Sequence, residues 1–364
     1  MMPDDDGSRL TVLITAVGGG GVGEQTLKAL LIAGGYRIIG ADTRARCAQF
    51  ALVDEAITLP AAGSADYLDA LLRVSSRLGV RAIFPGSEAE LRVISDHRAA
   101  LEDAGLFLPI NPTSVIETCM DKVATAEFLA AHDFAAPRTV RIRTLEDIGA
   151  VDWFPVVVKP ATGGGGSRDV YIAQTPRELA LVAELILLRE TEVMVQEYVG
   201  TPEHEYTVGV LHDMDGQFLN SIALRRLLQG QLHARVRVPN RTARTELGDW
   251  LVISSGVSHG YVDGFPEVTR TCERMAAALG STGPLNVQCR LVDGVVQVFE
   301  INPRFSGTTS IRALVGFNEP DVLLRRHLLG EDVAVRFPYE PALVLRSLTE
   351  DVVADREATD WRQV

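Results

Sequence analysis

The chain has 364 residues, of which 46% are hydrophobic, so it can bury a sizeable core divided over two or three lobes. Its formal net charge is −13 at pH 7. Nucleic acids and anionic membranes need a positive protein field, so this charge excludes binding to either partner by general electrostatics.

The first residues and the cysteines indicate a cytoplasmic protein. The N-terminal sequence, M-M-P-D-D-D-G-S-R-L-T-V, lacks a basic segment followed by an apolar one, and no apolar run approaches the roughly 18–20 residues of a membrane span. The cysteines show no C-x-x-C spacing, which favours reduced core thiols over a zinc site or a disulfide framework; they are Cys47, Cys119, Cys272 and Cys289.

A βαβ unit with a glycine-rich turn is predicted near the N-terminus. Its parts are a strand over Leu10–Val17, the turn Gly18–Gly23, a helix over Glu24–Ala33 and a strand over Arg37–Asp42. The turn reads G-x-G-x-x-G at Gly18, Gly20 and Gly23, and Asp42 ends the second strand, as in dinucleotide-binding units. The alternative is that these glycines only permit a tight strand-to-helix turn.

The first lobe is predicted to continue with a helix over Ala65–Leu78 and a strand over Arg81–Gly86. Ser87 and Glu88 then begin another helix, whose N-terminal amides either receive an anion or form an ordinary capped end. Asn111-Pro112 closes the lobe.

The segment Pro155–Ser167, P-V-V-V-K-P-A-T-G-G-G-G-S, is predicted as an apolar strand that leads into a glycine-rich loop. Lys159 at the strand end can neutralise phosphate oxygens, and Gly163–Gly166 can bring backbone N–H groups close to phosphates. The segment is not a Walker loop, because G-K-[ST] is missing. A flexible linker is also glycine-rich, but the immediate return into an alternating strand, Asp169–Ala173, favours a hairpin flap.

Another strand is predicted over Val193–Val199, V-M-V-Q-E-Y-V. A buried Glu197 on this strand can accept a hydrogen bond from an adenine amino group while the neighbouring main chain contacts the ring edge. The alternative for Glu197 is a solvent-facing strand carboxylate.

An antiparallel series of strands is predicted for the last part of the chain. The predicted strands are Glu205–His212, Gln217–Leu227, Leu232–Val238, Leu285–Leu291, Val295–Ile301 and Ala342–Leu348. Helices are predicted over Glu267–Leu279 and, packed on the outside, over Glu319–Leu329. The charged residues Glu350–Val364 are predicted to be loosely held.

The last part of the chain also carries a basic run, formed by Arg225, Arg226, Arg235, Arg237 and Arg241. Such a run is either a solvated face or a site for an anionic substrate such as an amino acid or a hydroxy acid. Arg312 is a second candidate for binding a substrate carboxylate.

The stretch Val298–Gly307, V-F-E-I-N-P-R-F-S-G, places a carboxylate and an amide two residues apart on a predicted strand. Side chains at such a spacing point to the same face, so Glu300 and Asn302 can converge on one cation. Oxygen-only ligation suits Mg²⁺. Arg304 follows this strand, and its planar guanidinium can neutralise the charge of a phosphate group during transfer. The alternative is that E-x-N is an ordinary pair of polar side chains on the exposed face of a strand.

The order of these motifs resembles the ATP-grasp superfamily, and in particular one synthetase half of the carbamoyl phosphate synthase large subunit and its single-copy relatives. The resemblance runs from about Asn111 to Gly330. It rests on Lys122 in a helix predicted over Asp121–His132, Lys159 before the glycine loop, Gln196-Glu197-Tyr198-Val199, Glu205, Gln288 and Glu300-Ile301-Asn302-Pro303-Arg304.

The resemblance implies an α/β fold with α+β lobes, namely an ATP-grasp fold with an N-terminal Rossmann-like lobe. The implied lobes are residues 1–112, a central small lobe at 113–195 and a C-terminal lobe with the metal site at 196–364. No internal repeat occurs, so a single synthetase unit is expected.

The resemblance also implies a role for each matching residue. Lys122 and Lys159 would hold ATP phosphates, and Glu205 would bind the ribose. The flap would be formed by Gly163, Gly164, Gly165, Gly166 and Ser167. The adenine hinge would be formed by Glu197, Tyr198 and Val199. Gln288, Glu300 and Asn302 would bind Mg²⁺, with Mn²⁺ as an alternative metal, and Arg304 would lie beside an acyl phosphate. Gln288 is neutral where many relatives have a carboxylate, so binding of a second metal is less certain than binding of the first.

The expected activity is ATP-dependent ligation of a small-molecule carboxylate to an amine through an acyl phosphate, with Lys159 and Arg304 as catalytic residues. His259 is either the base that deprotonates the amine or an incidental loop histidine. The alternatives are carboxyphosphate or carbamoyl phosphate chemistry on bicarbonate, an ATP-binding regulatory protein without turnover, and an NAD-dependent dehydrogenase. A homodimer is compatible with the sequence.

Overall fold

The N-terminal lobe is built on a parallel sheet. The structure, a computed structural model, describes residues 9–162, 169–350 and 357–364. The first elements are β1 (Leu10–Ile14), α1 (Val22–Ala33), β2 (Tyr36–Asp42), β3 (Glu55–Thr58), α2 (Tyr67–Leu78), β4 (Ala82–Phe84), α3 (Glu88–Asp96) and α4 (Arg98–Asp103). β1 pairs in parallel with β2 on one side and with β4 on the other. The predicted βαβ unit is therefore confirmed.

Helix α2 shows how the sequence dictates this lobe. Tyr67, Leu71 and Val74 recur at helical spacing and are buried against the sheet. Gly79, with a φ of 66°, ends the helix in the left-handed region that other residues rarely adopt. The helix therefore covers one face of the sheet and stops where the chain turns back to form β4.

The central lobe is a small antiparallel sheet with helices. Its elements are α5 (Thr113–Met120), α6 (Lys122–Ala131), β5 (Thr139–Ile142), β6 (Val156–Pro160), β7 (Tyr171–Ala173), α7 (Pro176–Leu187) and β8 (Val193–Glu197). The strand order is β5-β8-β6-β7. Asp121 caps α6 by accepting hydrogen bonds from the N–H groups of Val123 at 2.8 Å and Ala124 at 3.1 Å. This cap makes Lys122 the first residue of the helix.

The C-terminal lobe holds the larger antiparallel sheet. Its elements are β9 (Glu205–His212), β10 (Phe218–Arg226), α8 (Gly230–His233), β11 (Ala234–Pro239), β12 (Trp250–Ser254), β13 (Gly260–Asp263), α9 (Pro266–Leu279), β14 (Pro284–Val292), β15 (Val295–Asn302), α10 (Thr309–Leu314), α11 (Glu319–His327) and β16 (Ala342–Val344). The strand order is β15-β14-β9-β10-β13-β16, whereas β11 and β12 form a separate ribbon. The predicted antiparallel series is confirmed, except that β11 leaves it and β16 ends earlier than predicted.

Helix α11 does not pack on the outside of the protein, so that prediction was wrong. Its residues Val322, Leu323 and Leu324 are buried in a core shared by the N-terminal and C-terminal lobes. Asn318, which caps the helix, donates from Nδ2 to the carbonyl of Ala29 in α1 at 2.7 Å. The helix therefore fixes the N-terminal lobe on the C-terminal one.

The end of the chain is also held more firmly than predicted. Residues Thr359–Asp360 form a strand, β17, which pairs in parallel with β3 at the edge of the N-terminal sheet. Trp361 and Val364 pack against the core of that lobe. The expectation of a loosely held tail was wrong for residues 357–364, because an apolar ring and a free sheet edge supply contacts that the charged composition did not indicate.

In the ranges that the structure describes, no helix is long and apolar enough to cross a membrane. The cysteines are free thiols, and Cys119, Cys272 and Cys289 are buried. The prediction of core thiols is therefore confirmed for these residues.

Candidate active site

One cavity lies between the sheet of the central lobe and the larger sheet of the C-terminal lobe. Predicted nucleotide and metal residues that line it are Lys122, Lys159, Glu197, Tyr198, Val199, Glu205, Gln288, Glu300 and Asn302. The predicted flap residues Gly163, Gly164, Gly165, Gly166 and Ser167 lie outside the described residues. The structure thus brings the predicted cavity-lining residues together, whereas Arg304 is absent from the lining. The role of each residue stays a prediction.

The candidate metal ligands lie on two neighbouring strands. Asn302 donates from Nδ2 to Oε1 of Glu300 at 3.0 Å, as the two-residue spacing on one strand face predicts. Gln288 on β14 stands directly opposite Glu300 in the strand pairing. One carboxylate and two amide side chains therefore lie close together, and these residue types suit a hard divalent cation such as Mg²⁺. The two amide oxygens accept hydrogen bonds from Arg304 and Arg226, which a cation would have to replace.

Two lysine side chains form the candidate phosphate site. The chain contains three lysines, and two of them, Lys122 and Lys159, line the cavity. Lys159 is 5% exposed, and its Nζ donates to Oε1 of Gln196 at 3.0 Å and to the carbonyl of Phe299 at 3.4 Å. Burial lowers the pKa of Lys159 to about 8; Glu300 opposes this shift and Lys122 adds to it. Phosphate oxygens placed here would stabilise both ammonium groups.

This pKa predicts that nucleotide binding takes up protons. Below about pH 8 the Lys159 amine is charged in the free protein, and above that pH it is increasingly neutral. Phosphate favours the charged form, so ADP or ATP should bind more weakly as pH rises through about 8 and should take up close to one proton at about pH 9. Calorimetric titration in buffers of different ionisation enthalpy measures this uptake.

Two variants sharpen the proton-uptake measurement. Lys159→Met should abolish the uptake, whereas Lys28→Met, which changes the lysine that pairs with Glu24 on α1, should leave it intact. A binding heat that is independent of the buffer in the unmodified protein at about pH 9 would contradict the assignment of Lys159.

The predicted adenine hinge follows the end of β8. Arg290 donates from Nη1 to the carbonyl of Val199 at 3.0 Å, and its guanidinium lies 4.5 Å from the centroid of the Tyr198 ring. The Glu197 carboxylate accepts a hydrogen bond from Nη1 of Arg244 at 2.8 Å. The hinge is thus fixed by two arginines, and a contact between adenine and the Glu197 side chain would require the Arg244 pair to open.

Glu205, the predicted ribose ligand, lies in a buried triad with two arginines. Its Oε1 is 3.3 Å from Nη1 of Arg226 and its Oε2 is 2.9 Å from Nη2 of Arg290. Arg226 also donates from Nη1 to Oε1 of Gln288 at 3.3 Å. The triad therefore connects the hinge to the candidate metal strand, and a ribose hydroxyl would compete with two arginines for Glu205. Sequence reasoning missed Arg290, although its two-residue spacing from Gln288 on β14 could have indicated it.

Arg304 contacts residues from two lobes. Its Nη2 donates to Oδ1 of Asn302 at 2.9 Å and to Oε1 of Glu88 at 2.8 Å. Ser87 caps α3 by accepting from the N–H of Glu90 at 3.3 Å, so the capping interpretation of this turn is confirmed. Glu88 was missed as a cavity residue because it lies 216 residues from Arg304 in sequence, and no local pattern connects the two.

Arg312 does not reach the cavity, so its predicted role as a carboxylate clamp was wrong. The side chain is 1% exposed, and its Nη1 donates to Oε1 of Glu319 at 3.1 Å. Its Nη2 donates to Oδ1 of Asn286 at 2.6 Å. The guanidinium is thus used to hold α11 against the sheet.

The arginines of the basic run lie in different environments. Arg226 belongs to the buried triad, and Arg241 pairs with Glu178. The guanidiniums of Arg225 and Arg237 lie over aromatic rings. Arg225, Arg226 and Arg237 nevertheless line a second cavity, so a site for an anionic substrate stays a prediction for these three residues.

His259 packs on His233, with ring centroids 3.4 Å apart. Burial lowers the pKa of His259, and the neighbouring His233 and Arg346 lower it further. A neutral imidazole could accept a proton, but His259 is absent from the residues that line the cavity. Its proposed role as a base stays a prediction.

The glycine turn after β1 is occupied by the protein's own carboxylates. The N–H of Gly18 donates to Oδ2 of Asp42 at 2.9 Å, and the N–H of Gly20 donates to Oε2 of Glu24 at 2.9 Å. A Cβ atom on Gly23 would lie 2.4 Å from the carbonyl oxygens of Thr15 and Ala16. Close strand-to-helix packing thus requires this glycine. The N–H groups of Gly18 and Gly20 are already bonded to carboxylates, which in turn pair with Arg44 and Lys28, so they are not available to a pyrophosphate.

We therefore expect NAD(H) and NADP(H) to leave the melting temperature unchanged even at millimolar concentration. A specific ligand at about 100 times its Kd would add about 2.7 kcal/mol of stability. Thermal unfolding with each dinucleotide, with MgADP as the positive control, is the measurement. A clear rise in melting temperature with either dinucleotide would show that the turn binds it.

Comparison with known proteins supports the same family. A family model described as "ATP-grasp in the biosynthetic pathway with Ter operon" matches residues 254–350. The carbamoyl phosphate synthase large chain of Mycobacterium sp. (strain JLS) is 29% identical over 213 residues, which are 57% of this chain and 18% of that protein. The chain thus spans under a fifth of this relative's length.

Two solved structures have a similar fold. An L-amino acid ligase from Bacillus licheniformis is 16% identical, with a TM-score of 0.61 over 88% of this chain and 74% of the other. The biotin carboxylase domain of the Hydrogenobacter thermophilus 2-oxoglutarate carboxylase, in complex with MgADP, ADP and bicarbonate, is 15% identical, with a TM-score of 0.61 over 90% and 70%. The predicted resemblance to the ATP-grasp superfamily is confirmed, and this chain has the ATP-grasp fold.

Proposed function

We propose that this protein is an ATP-dependent carboxylate–amine ligase that forms an amide through an acyl phosphate. The observation that carries the proposal is the convergence of Lys159, Glu300 and Asn302 at one cavity, with Arg304 donating a hydrogen bond to Asn302. A protein that only bound nucleotide would have no use for an arginine beside the candidate metal ligands. The proposed substrates are a small-molecule carboxylate and an amine.

The residues present fit ATP and a divalent cation. Lys122 and Lys159 would supply positive charge for phosphates, and a purine would lie against Tyr198 and Val199, which line the same cavity. Glu300 and Asn302 would hold the cation, for which we propose Mg²⁺ over Mn²⁺. When bound, Mg²⁺ would neutralise charge on the phosphate oxygens.

The proposed reaction joins two steps. The carboxylate oxygen attacks the γ-phosphorus of ATP, ADP leaves, and the amine then attacks the acyl carbon and releases phosphate. Lys159 and Arg304 would neutralise the charge on the transferred group, which supplies most of the catalysis in such transfers. No nucleophilic side chain is required.

A second candidate function is carboxyphosphate chemistry on bicarbonate. It is favoured by the similarity to a carbamoyl phosphate synthase large chain. This function would require bicarbonate and an ammonia source in place of an organic acid and an amine. The free buried thiols support a reducing, cytoplasmic compartment for either function.

Phosphate release over a panel of carboxylate and amine pairs tests the proposal. We expect release that depends on ATP, a divalent cation, one carboxylate and one amine, and that persists when bicarbonate is excluded. Release that requires bicarbonate and ammonia would favour the second candidate. ATP binding without release under any combination would indicate a protein without turnover.

A further inference from the structure

The second cavity, of about 460 Å³, lies in the C-terminal lobe beside the first. Three arginines line it, Arg225, Arg226 and Arg237, and Trp250 adds an indole ring that is 43% exposed. Its volume lies within the range of about 300–1,000 Å³ that small-molecule sites occupy. Val252 lines both cavities, so the two are neighbours. The proposed ligation reaction does not account for this second space.

Arg225 and Arg237 are held by aromatic rings. The guanidinium carbon of Arg237 lies 4.8 Å from the centroid of the Trp250 ring, and that of Arg225 lies 5.0 Å from the centroid of the Tyr261 ring. Arg225 also shares a hydrogen bond with the hydroxyl of Tyr206, but neither guanidinium has an ion-pair partner among the residues that the structure describes. A guanidinium stacked on a ring keeps N–H donors at its edge, where they match a carboxylate. The cavity therefore offers donors for an anion.

Two carboxylates at the wall limit the charge of that anion. Glu203 and Asp249 also line the second cavity, and both are exposed. They would repel each further negative charge, so a polyphosphate is disfavoured and a single carboxylate group is favoured. Trp250, Leu227 and Leu228 add an apolar surface that suits a ring. The chemistry of the wall thus fits an aromatic monocarboxylate.

Arg226 connects the second cavity to the first. Its Nη1 donates to Oε1 of Glu205 and to Oε1 of Gln288, each at 3.3 Å, and both acceptor residues line the first cavity. Its Nε is buried and has no hydrogen-bond partner in the described part of the chain. An anion that draws Arg226 towards the second cavity would release Glu205 for a ribose hydroxyl and Gln288 for a cation. Arg290 would keep the charge of Glu205 compensated.

We propose that the second cavity binds an aromatic monocarboxylate and that this ligand raises the affinity of the first cavity for nucleotide through Arg226. The inference goes beyond the proposed ligase function and requires nucleotide binding without turnover. The coupling is reciprocal, because the factor by which the carboxylate strengthens nucleotide binding must equal the factor by which nucleotide strengthens carboxylate binding.

Calorimetric titration of the protein with benzoate and 2-naphthoate measures binding to the second cavity. Acetate and inorganic phosphate carry negative charge without a ring, and benzamide carries the ring without the charge. We expect benzoate or 2-naphthoate to bind at least about 10-fold more tightly than each of these three probes, the scale of one hydrogen bond to a charged group. Equally tight binding of acetate or phosphate would overturn the aromatic class. Absence of benzoate and 2-naphthoate binding at millimolar concentration would overturn the site.

Two arginines on one strand test where the carboxylate binds. Arg237→Met should weaken 2-naphthoate binding by at least about 10-fold. Arg235→Met makes the same change two residues earlier on β11, at a residue that does not line the cavity, and should leave binding unchanged. Thermal unfolding confirms that each variant is folded. Binding that is unaffected by Arg237→Met, or weakened equally by both changes, would overturn the assignment.

Titration with MgADP, without and with saturating 2-naphthoate, measures the coupling. We expect the Kd of MgADP to fall by about 5- to 10-fold in 2-naphthoate. Arg226→Lys, which keeps the charge but loses the planar fork, should abolish this change. If that buried change prevents folding, titration of the unmodified protein in the reverse order checks the coupling through its reciprocity.

The remaining outcomes of this titration separate the coupling from the nucleotide site. An unchanged Kd of MgADP would overturn the coupling. A Kd that rises would place the carboxylate in the nucleotide cavity and overturn the second site. Failure of MgADP to bind under any condition would contradict the nucleotide site, and with it the coupling, whereas the contrast between Arg237→Met and Arg235→Met would still support or overturn the second site.

Discussion

Replacing Glu300 with glutamine should lower substrate-dependent phosphate release by about 100-fold or more. The change keeps the size of the side chain and its contact with Asn302, but it removes the only carboxylate among the three proposed metal ligands. Nucleotide should still bind through Lys122, Lys159 and the hinge. Steady-state phosphate release and the Kd of ADP, measured on the same preparation, separate the two effects.

A charge-removing change away from the cavity serves as the control for Glu300→Gln. Glu102→Gln makes the same chemical change at an exposed position of α4 and should leave phosphate release unchanged. Near-normal release from Glu300→Gln at limiting Mg²⁺ would rule out Glu300 as a metal ligand.

Replacing Glu205 with alanine should destabilise the protein by about 3–5 kcal/mol. The change leaves the buried guanidiniums of Arg226 and Arg290 facing each other, and Lys159 adds a third cation at the same cavity. An uncompensated buried charge is costly because it loses both water and its partner. Urea unfolding followed by circular dichroism gives the change in free energy of unfolding.

A double variant tests the cause of this loss. If charge imbalance is responsible, Glu205→Leu combined with Arg290→Met should recover part of the stability that Glu205→Leu loses, because one cation is removed together with the anion. A double variant less stable than either single variant would instead show that each side chain is needed for packing. A Glu205→Ala protein as stable as the unmodified one would contradict the burial of the triad.

The sequence predicted the parts of the site that depend on local spacing. Glu300 and Asn302 share a strand face because side chains alternate along a strand, and the structure confirms that they lie within hydrogen-bond distance. Lys159 could be placed at the end of β6 because an apolar strand runs directly into glycines. Such predictions need only the periodicity of one element.

Contacts between distant segments could not be predicted in this way. The pairing of Glu88 with Arg304 and the pairing of β17 with β3 each join segments more than 200 residues apart. Arg312 illustrates the opposite error, since a candidate substrate clamp became a buried partner of Glu319 once α11 packed against the first lobe. Neither burial nor partner choice is fixed by the local pattern around an arginine.

Positional isotope exchange in ATP tests the central claim most directly. Oxygen-18 in the bridge between the β- and γ-phosphorus atoms moves to a non-bridging position only if the γ-phosphoryl group leaves and returns. Reversible transfer to a carboxylate should therefore cause exchange that requires the protein, a divalent cation and an organic acid, without any amine, and Glu300→Gln should nearly abolish it. Absence of exchange with every organic acid that binds alongside ATP would contradict acyl phosphate formation at this site.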